Sequence, residues 1–389
     1  MRTCFVHLWL LPLLPNVEGF TGVATKRPRS SFLCLSHRPV ASIERYSRLP
    51  VWPLWNGIFT WAVSQVLGEE TAAKLEDQIT GRVCPNIFQP QGRHSPFLLL
   101  VHHCHSFHPL DPWRYLQRLF FPEGFPAHPH RGFVTLTYIL HGGFRHRDSQ
   151  GVEQYYGGAL QQQDPQKQHS YDGKHSQWLQ TGAGILHEEM FDARYESRQE
   201  LYQLWIQLPR DEHMSSPYSF LMGDDKETPV VVQNQTQTRV LAGSYKGATA
   251  LAPNRTAMAI YHVQLEKGAT WTCEVPEVMD SVLLYVRRGS LLANEQVRLP
   301  VHHTVTFAAS GGSTIELRAD EGPADCLFLA GESIREPLVM QGSMVVDTPE
   351  NLSRAMEDYQ RGAMGRPWSE TLTDKEWREH VQKYGSWYR

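Results

Sequence analysis

From about residue 80 onward the apolar positions come in short runs that glycine and proline cut off, a pattern of strands rather than helices. Thr135-Leu-Thr-Tyr-Ile-Leu140 stops at His141-Gly-Gly and resumes at Phe144-Arg-His-Arg147. Tyr202-Gln-Leu-Trp-Ile-Gln-Leu208 alternates apolar and polar residues, as a half-buried strand does. Later, Ser281-Val-Leu-Leu-Tyr-Val286 meets Arg-Arg-Gly, and Val305-Thr-Phe-Ala308 and Cys326-Leu-Phe-Leu-Ala330 follow. Two such clusters, residues 80–222 and a second domain over 235–365, predict an all-β chain of two tandem barrels. The polar stretch Asp224-Asp-Lys-Glu227 separates them. Leu352, Met356 and Tyr359 recur at helical spacing, so a short C-terminal helix is expected from Pro349 to about Gln360. The tail, residues 366–389 with Trp368, Trp377 and Trp387, carries no comparable signal.

The first 79 residues read differently. Residues 1–19 start with Arg2 and carry an apolar core from Leu8 to Leu14, too short to span a bilayer but suited to a signal peptide. Phe20 to Arg48 holds Lys26, Arg27, Arg29, Arg38, Arg45 and Arg48 against one acid, Glu44, and is rich in Ser and Thr. That two-part composition makes residues 1–48 a disordered targeting presequence addressed to a plastid, with cytoplasm or nucleus as the alternative. A fluorescent fusion of residues 1–48 is expected in the plastid, and a cytosolic or nuclear signal would refute that address. Residues 49–79 form a linker. Its stretch 49–68 has no charge, and Trp55, Phe59, Val63 and Val66 predict a short amphipathic helix. Pro50, Pro53, Asn56 and Gln65 argue against a membrane span.

Composition narrows the function classes. Of 389 residues, 41% are hydrophobic and 20% charged, as in a soluble globular chain. With 37 basic against 41 acidic residues the net charge is −4, which leaves no footprint for direct binding of nucleic acid. The six cysteines form no CxxC pair, so a thiol-containing chain without structural disulfides is expected.

The candidate chemistry lies in two histidine-bearing pairs. His128-Pro-His130 places two imidazoles on one face of a strand, and His187-Glu-Glu189 places an imidazole and a carboxylate likewise. Three neutral nitrogens and one anionic oxygen suit one divalent first-row metal ion, with positions left for water or substrate. Glu188 faces the other way. A second cluster, His102-His-Cys-His105 with His108, fits no zinc spacing, although His103 and His105 share a face.

Phe125-Pro-Ala-His-Pro-His-Arg-Gly-Phe133, His146-Arg-Asp-Ser149 and Gln177-Trp-Leu-Gln-Thr-Gly-Ala-Gly-Ile-Leu-His-Glu-Glu-Met190 together resemble the signature of the pirin family. Leu329-Ala-Gly-Glu-Ser-Ile-Arg-Glu-Pro-Leu338 extends the likeness into the second domain, so that it covers about residues 80–368. The resemblance implies a bicupin whose N-terminal barrel holds iron, as Fe(II), through His128, His130, His187 and Glu189, and whose second barrel lacks metal. It implies two functions. One is a quercetin 2,3-dioxygenase-type activity on a small aromatic substrate, with Glu189 as the catalytic base. The other is a metal-dependent regulatory role through a protein partner. A monomer is expected. Three positions depart from the family pattern: Val134 stands for Glu, Ala183 for Arg, and Val101 for an acid. Each departure removes a polar group that could orient ligands or substrate. The two ligand pairs are also separated by 187 − 130 = 57 positions, with the excess in Gln161 to Ser176, a loop carrying His169 and His175.

Overall fold

The computed structural model describes residues 36–45, 49–50, 54–68, 71–72, 82–87, 94–108, 114–115, 118–119, 122–157, 176–193, 197–223 and 225–388. Residues 1–35 of the expected presequence, and His169 and His175, lie outside them.

Two seven-stranded antiparallel sheets organise the molecule, each paired with a four-stranded sheet to make a barrel. In the first large sheet the order runs Tyr218–Met222, Ser176–Gln180, Phe133–His141, Arg198–Gln207, Phe97–Ser106, Arg82–Ile87 and Leu49–Pro50. Its partner sheet carries Gly124–His130, Ile185–Phe191, Gly143–Asp148 and Glu153–Gly157 in that order. The second barrel repeats the plan around a packed apolar interior that includes Val240, Tyr261, Trp271, Leu284 and Phe328.

Period-two alternation explains how the barrels meet. In strand Phe133–His141, Val134, Leu136, Tyr138 and Leu140 face the second barrel, joining Ile260, Leu283 and Leu329 in one inter-barrel core. Thr135 and Thr137, fully buried, face the interior of the first barrel instead. Burial on both faces is why this strand reads as near-continuously apolar.

Buried charge crosses the same interface. Arg287 of the second barrel donates to Glu200 of the first at 2.7 Å and to Asp325 at 2.8 Å, and all three are almost wholly buried. His102 Nε2 lies 2.9 Å from Glu200 Oε1, and His262 Nε2 lies 3.0 Å from Asp325 Oδ2. Burial alone would raise the Glu200 carboxyl, but the His102 hydrogen bond and the Arg287 charge outweigh it and hold it far below the usual range. Asp325 is likewise held low: the charges of His262 and Arg287 overcome its burial.

Four expectations need correction at the ends of the chain. Val40–Arg45, read as part of a disordered presequence, is a strand paired antiparallel with His303–Phe307 of the second barrel. Arg38 anchors it, donating to Met279 O at 2.8 Å and Gly312 O at 3.0 Å. The basic character of the segment hid this, because a guanidinium can satisfy buried carbonyls as well as sit in water. The linker helix spans Leu54–Leu67, but Val66, Trp61 and Leu67 are exposed, so Val66 does not pack as helical spacing suggested. Among the described residues no helix is long and apolar enough to cross a membrane.

The C-terminal helix spans Pro349–Arg361, capped by Thr348 and ended by Gly362 in the left-handed region. It buries Ala355 and packs Leu352 and Tyr359, whereas Met356 stays outside that cluster and is 36% exposed. A second helix, Asp374–Tyr384, opens with a capping box of Thr373 and Glu376 in the tail that carried no signal. Its buried face is only Trp377 and Val381, too sparse a stripe to show as periodicity. Cys273 and Cys326 are buried free thiols.

Candidate metal centre

The two ligand strands are antiparallel neighbours, and their register sets His187 opposite His128 and Ile185 opposite His130. A register shift between His187 and Glu189 then brings Glu189 opposite Phe125. Gly132, at φ 81°, turns the chain out of the first ligand strand; an added Cβ would lie 1.8 Å from Val345 O, so only glycine fits.

This pairing gathers three imidazoles. One ring nitrogen from each of His128, His130 and His187 lies within 4.8 Å of the others, a spacing that could hold a metal ion. His128 Nε2 and His130 Nε2 are 3.1 Å apart. Two nitrogens about 2.1 Å from one ion, at roughly right angles, would be about 3 Å apart. His128 Nδ1 lies 2.8 Å from Pro126 O, which assigns the proton to Nδ1 and leaves the Nε2 lone pair facing the cluster. His187 is fully buried, and neither of its ring nitrogens has a hydrogen-bond partner among the described residues. Burial first, then the neighbouring His128, His130 and His146, hold its pKa well below the usual histidine value, so it is neutral at pH 7. A buried polar group without a partner is costly, and an ion between the rings would supply one.

Glu189 stands beside this triad rather than in it, since the tight group comprises only the three histidines. Its Oε1 accepts from Thr137 Oγ1 at 3.1 Å and from the Tyr156 hydroxyl at 3.4 Å, and its Oε2 accepts from Gln203 Nε2 at 2.8 Å. Burial raises its pKa above the ordinary carboxylate value, against the opposing pull of His146 and these three donors. Glu188 does face the other way, outside the barrel.

Sequence reasoning passed over His146, quoted only as part of a motif. It lies opposite Glu189 in register, with its ring 5.4 Å from that of His187, and Asp148 Oδ2 lies 3.1 Å from its Nε2. The signal was available: His146 and Asp148 are two apart on one strand, the same spacing that marked the ligands. Trp205 is another such neighbour, edge-on to His130 at 5.4 Å.

The three departures from the family pattern fall unevenly around the site. Val134 points into the inter-barrel core and cannot have faced a ligand, so its expected effect on the site is withdrawn. Ala183 takes part through its carbonyl, which accepts from Arg131 Nε at 2.6 Å. Val101 packs with Leu99 and Trp205 on the side nearer the triad. Thr137, Tyr156 and Gln203 supply the polar company that these positions lack.

The second histidine cluster divides between two faces. His102 belongs to the inter-barrel charge network. His103 and His105 stack in parallel, 3.3 Å apart at Nδ1 and Nε2, against Phe125, Phe107 and Phe191. Burial and neighbouring imidazole charge push His105 down to about 3 and His103 well below its ordinary value, so both are neutral members of an aromatic core.

Comparison with known proteins agrees with this architecture. Residues 82–206 match the Pirin domain and residues 260–365 match the Pirin C-terminal cupin domain. Pirin-like protein 2 of Arabidopsis thaliana is 31% identical over 265 residues, covering 66% of this chain and 76% of that protein. A pirin-like protein of Caulobacter vibrioides is 32% identical over 246 residues, 61% of this chain and 80% of its own. A Pseudomonas aeruginosa protein, named provisionally as a quercetin 2,3-dioxygenase, is 29% identical over 276 residues, 70% of this chain and 87% of its own. Among solved structures, a quercetin 2,3-dioxygenase from Acinetobacter baumannii superimposes with a TM-score of 0.64 at 23% identity, covering 85% of this chain and 99% of that one. Two cupin barrels, a histidine triad in the first and these matches over both domains make this chain a member of the pirin family.

Proposed function

We propose that the chain is a mononuclear iron oxygenase of the quercetin 2,3-dioxygenase type, acting on a small flavonol-like aromatic. The observation that carries this reading is a neutral, buried histidine triad with a hydrogen-bonded carboxylate, Glu189, beside it inside one barrel. Among the relatives, the Pseudomonas aeruginosa protein supports it by its name. His128, His130 and His187 would hold the ion as Fe(II), with Glu189 as its fourth ligand. Bound there, the ion would supply Lewis acidity and one-electron chemistry toward dioxygen.

The chain itself handles the proton. A flavonol must lose its enolic proton before dioxygen adds, and Glu189 is the carboxylate placed to take it. Three donors on its two oxygens fix its orientation. Beside it Phe125, Phe144 and Phe191 pack on one another as an apolar cluster.

Aerobic incubation of the iron-loaded protein with quercetin should bleach the flavonol absorbance and release carbon monoxide. Glu189→Gln should lower the rate by about 10²-fold or more. Bound iron with no carbon monoxide from the unmodified chain would overturn the oxygenase reading.

A further inference from the structure

Both ligand pairs are tied, through the residues between or beside them, to one remote stretch of chain. Glu188, between His187 and Glu189, has a fully buried carboxylate outside the barrel. Arg147 Nε donates to it at 2.5 Å, Arg145 Nη2 at 3.1 Å, and Trp368 Nε1 at 2.8 Å. The two arginines also donate to carbonyls of the same tail, Arg147 to Leu372 O at 3.0 Å and Arg145 to Glu370 O at 3.1 Å. Pro129, between His128 and His130, accepts from Ser343 Oγ at 2.5 Å. Arg131, next after His130, donates to Asp358 Oδ2 at 2.8 Å and to the Tyr388 hydroxyl at 2.9 Å.

We propose that residues 343–388 form a clasp that positions the metal ligands from behind, with Glu188 and Trp368 as its principal positioning residues. The inference rests on the metal reading above. Its physical basis is that a strand's two faces share one backbone, so fixing Glu188 fixes the Cα–Cβ directions of His187 and Glu189. Groups that orient ligands typically govern how tightly the ion is held. The carboxylate of Glu188 is closed by donors from two directions, the neighbouring strand and the tail, so the strand cannot roll without breaking a buried charge-assisted contact. Ser343 and Asp358 of the clasp lie within the matched C-terminal cupin domain, and Trp368 and Tyr388 lie beyond its end.

The test separates positioning from general support. Trp368→Phe keeps the packed ring and removes its hydrogen bond to Glu188; Tyr388→Phe makes a smaller cut at the Arg131 end. Trp271→Phe makes the same change in the second barrel, removing a buried indole hydrogen bond to Thr238 Oγ1 without touching the clasp or a ligand strand. Each protein is loaded with Co(II), its visible spectrum recorded, and the ion withdrawn with a chelator well below the unfolding temperature. Trp368→Phe should speed cobalt loss about tenfold and shift the spectrum, and Tyr388→Phe should move both in the same direction by less. Trp271→Phe should leave both as in the unmodified chain while lowering the unfolding temperature. Unchanged loss rate and spectrum in Trp368→Phe, or in Tyr388→Phe should Trp368→Phe fail to fold, would overturn the clasp alone. So would an equal effect from Trp271→Phe. An unmodified chain that takes up no cobalt would overturn the metal reading and the clasp with it.

Discussion

Ferrous iron at a thousandfold its dissociation constant should stabilise the unmodified chain by about 4 kcal/mol and leave His187→Ala unmoved. The size follows from mass action, since an ion that binds only the folded state adds RT ln(1 + [L]/Kd). The selectivity follows from the site. His187 is one of three converging donors, and in the metal-free chain its two buried nitrogens lack partners among the described residues. Such a group costs about 1–3 kcal/mol when left unsatisfied, which offsets part of the cavity that alanine opens. Without metal, then, His187→Ala should unfold close to the unmodified chain, and the two should separate only when iron is added. Urea titration of both proteins under anaerobic conditions, with and without Fe(II), checks this. Equal stabilisation of both by iron would contradict it.

Arg287→Met should destabilise the molecule by about 3–5 kcal/mol, the largest loss expected from any single change away from the metal site. The substitution keeps an apolar stem of similar reach but leaves Glu200 and Asp325 buried without their shared guanidinium. Removing a carboxylate as well should recover part of the loss, so Arg287→Met with Glu200→Gln should cost less than the sum of the single changes. The pH dependence has a definite sign. Both carboxylates are depressed in the folded state, so their contribution is complete above the ordinary carboxylate range. It is lost as pH falls below that range toward the folded values. Acid unfolding should therefore steepen below about pH 4 in the unmodified chain and flatten in the double variant. Additive losses in the cycle would show that the groups do not act as one network.

Much of this was legible in the sequence because the features that carry it are local. The HxH pair needs only the two-residue period of a strand to put both rings on one face, and the motifs around it match a known family. The two barrels were visible as two clusters of short strands. What escaped was set by distant partners. Arg38 looks like presequence charge until Met279 and Gly312 supply its acceptors, some 240 to 275 positions away. Val134 looks like a lost ligand-orienting group until the second barrel packs on it. His102 and His103 are adjacent, yet one joins an ion network and the other an aromatic core, because the strand is buried on both sides. The C-terminal tail gave no period because its anchors, Trp368, Trp377 and Tyr388, are widely spaced along the chain and meet only in one folded cluster with Leu186 of the first barrel.

The central claim is a metal ion held by the histidine triad of the first barrel. Elemental analysis of protein reconstituted anaerobically with Fe(II) and then desalted, beside His128→Ala treated identically, tests it most directly. About one iron per chain is expected in the unmodified protein and about a tenth or less in the variant. Substoichiometric iron in both, or equal iron in both, would contradict it.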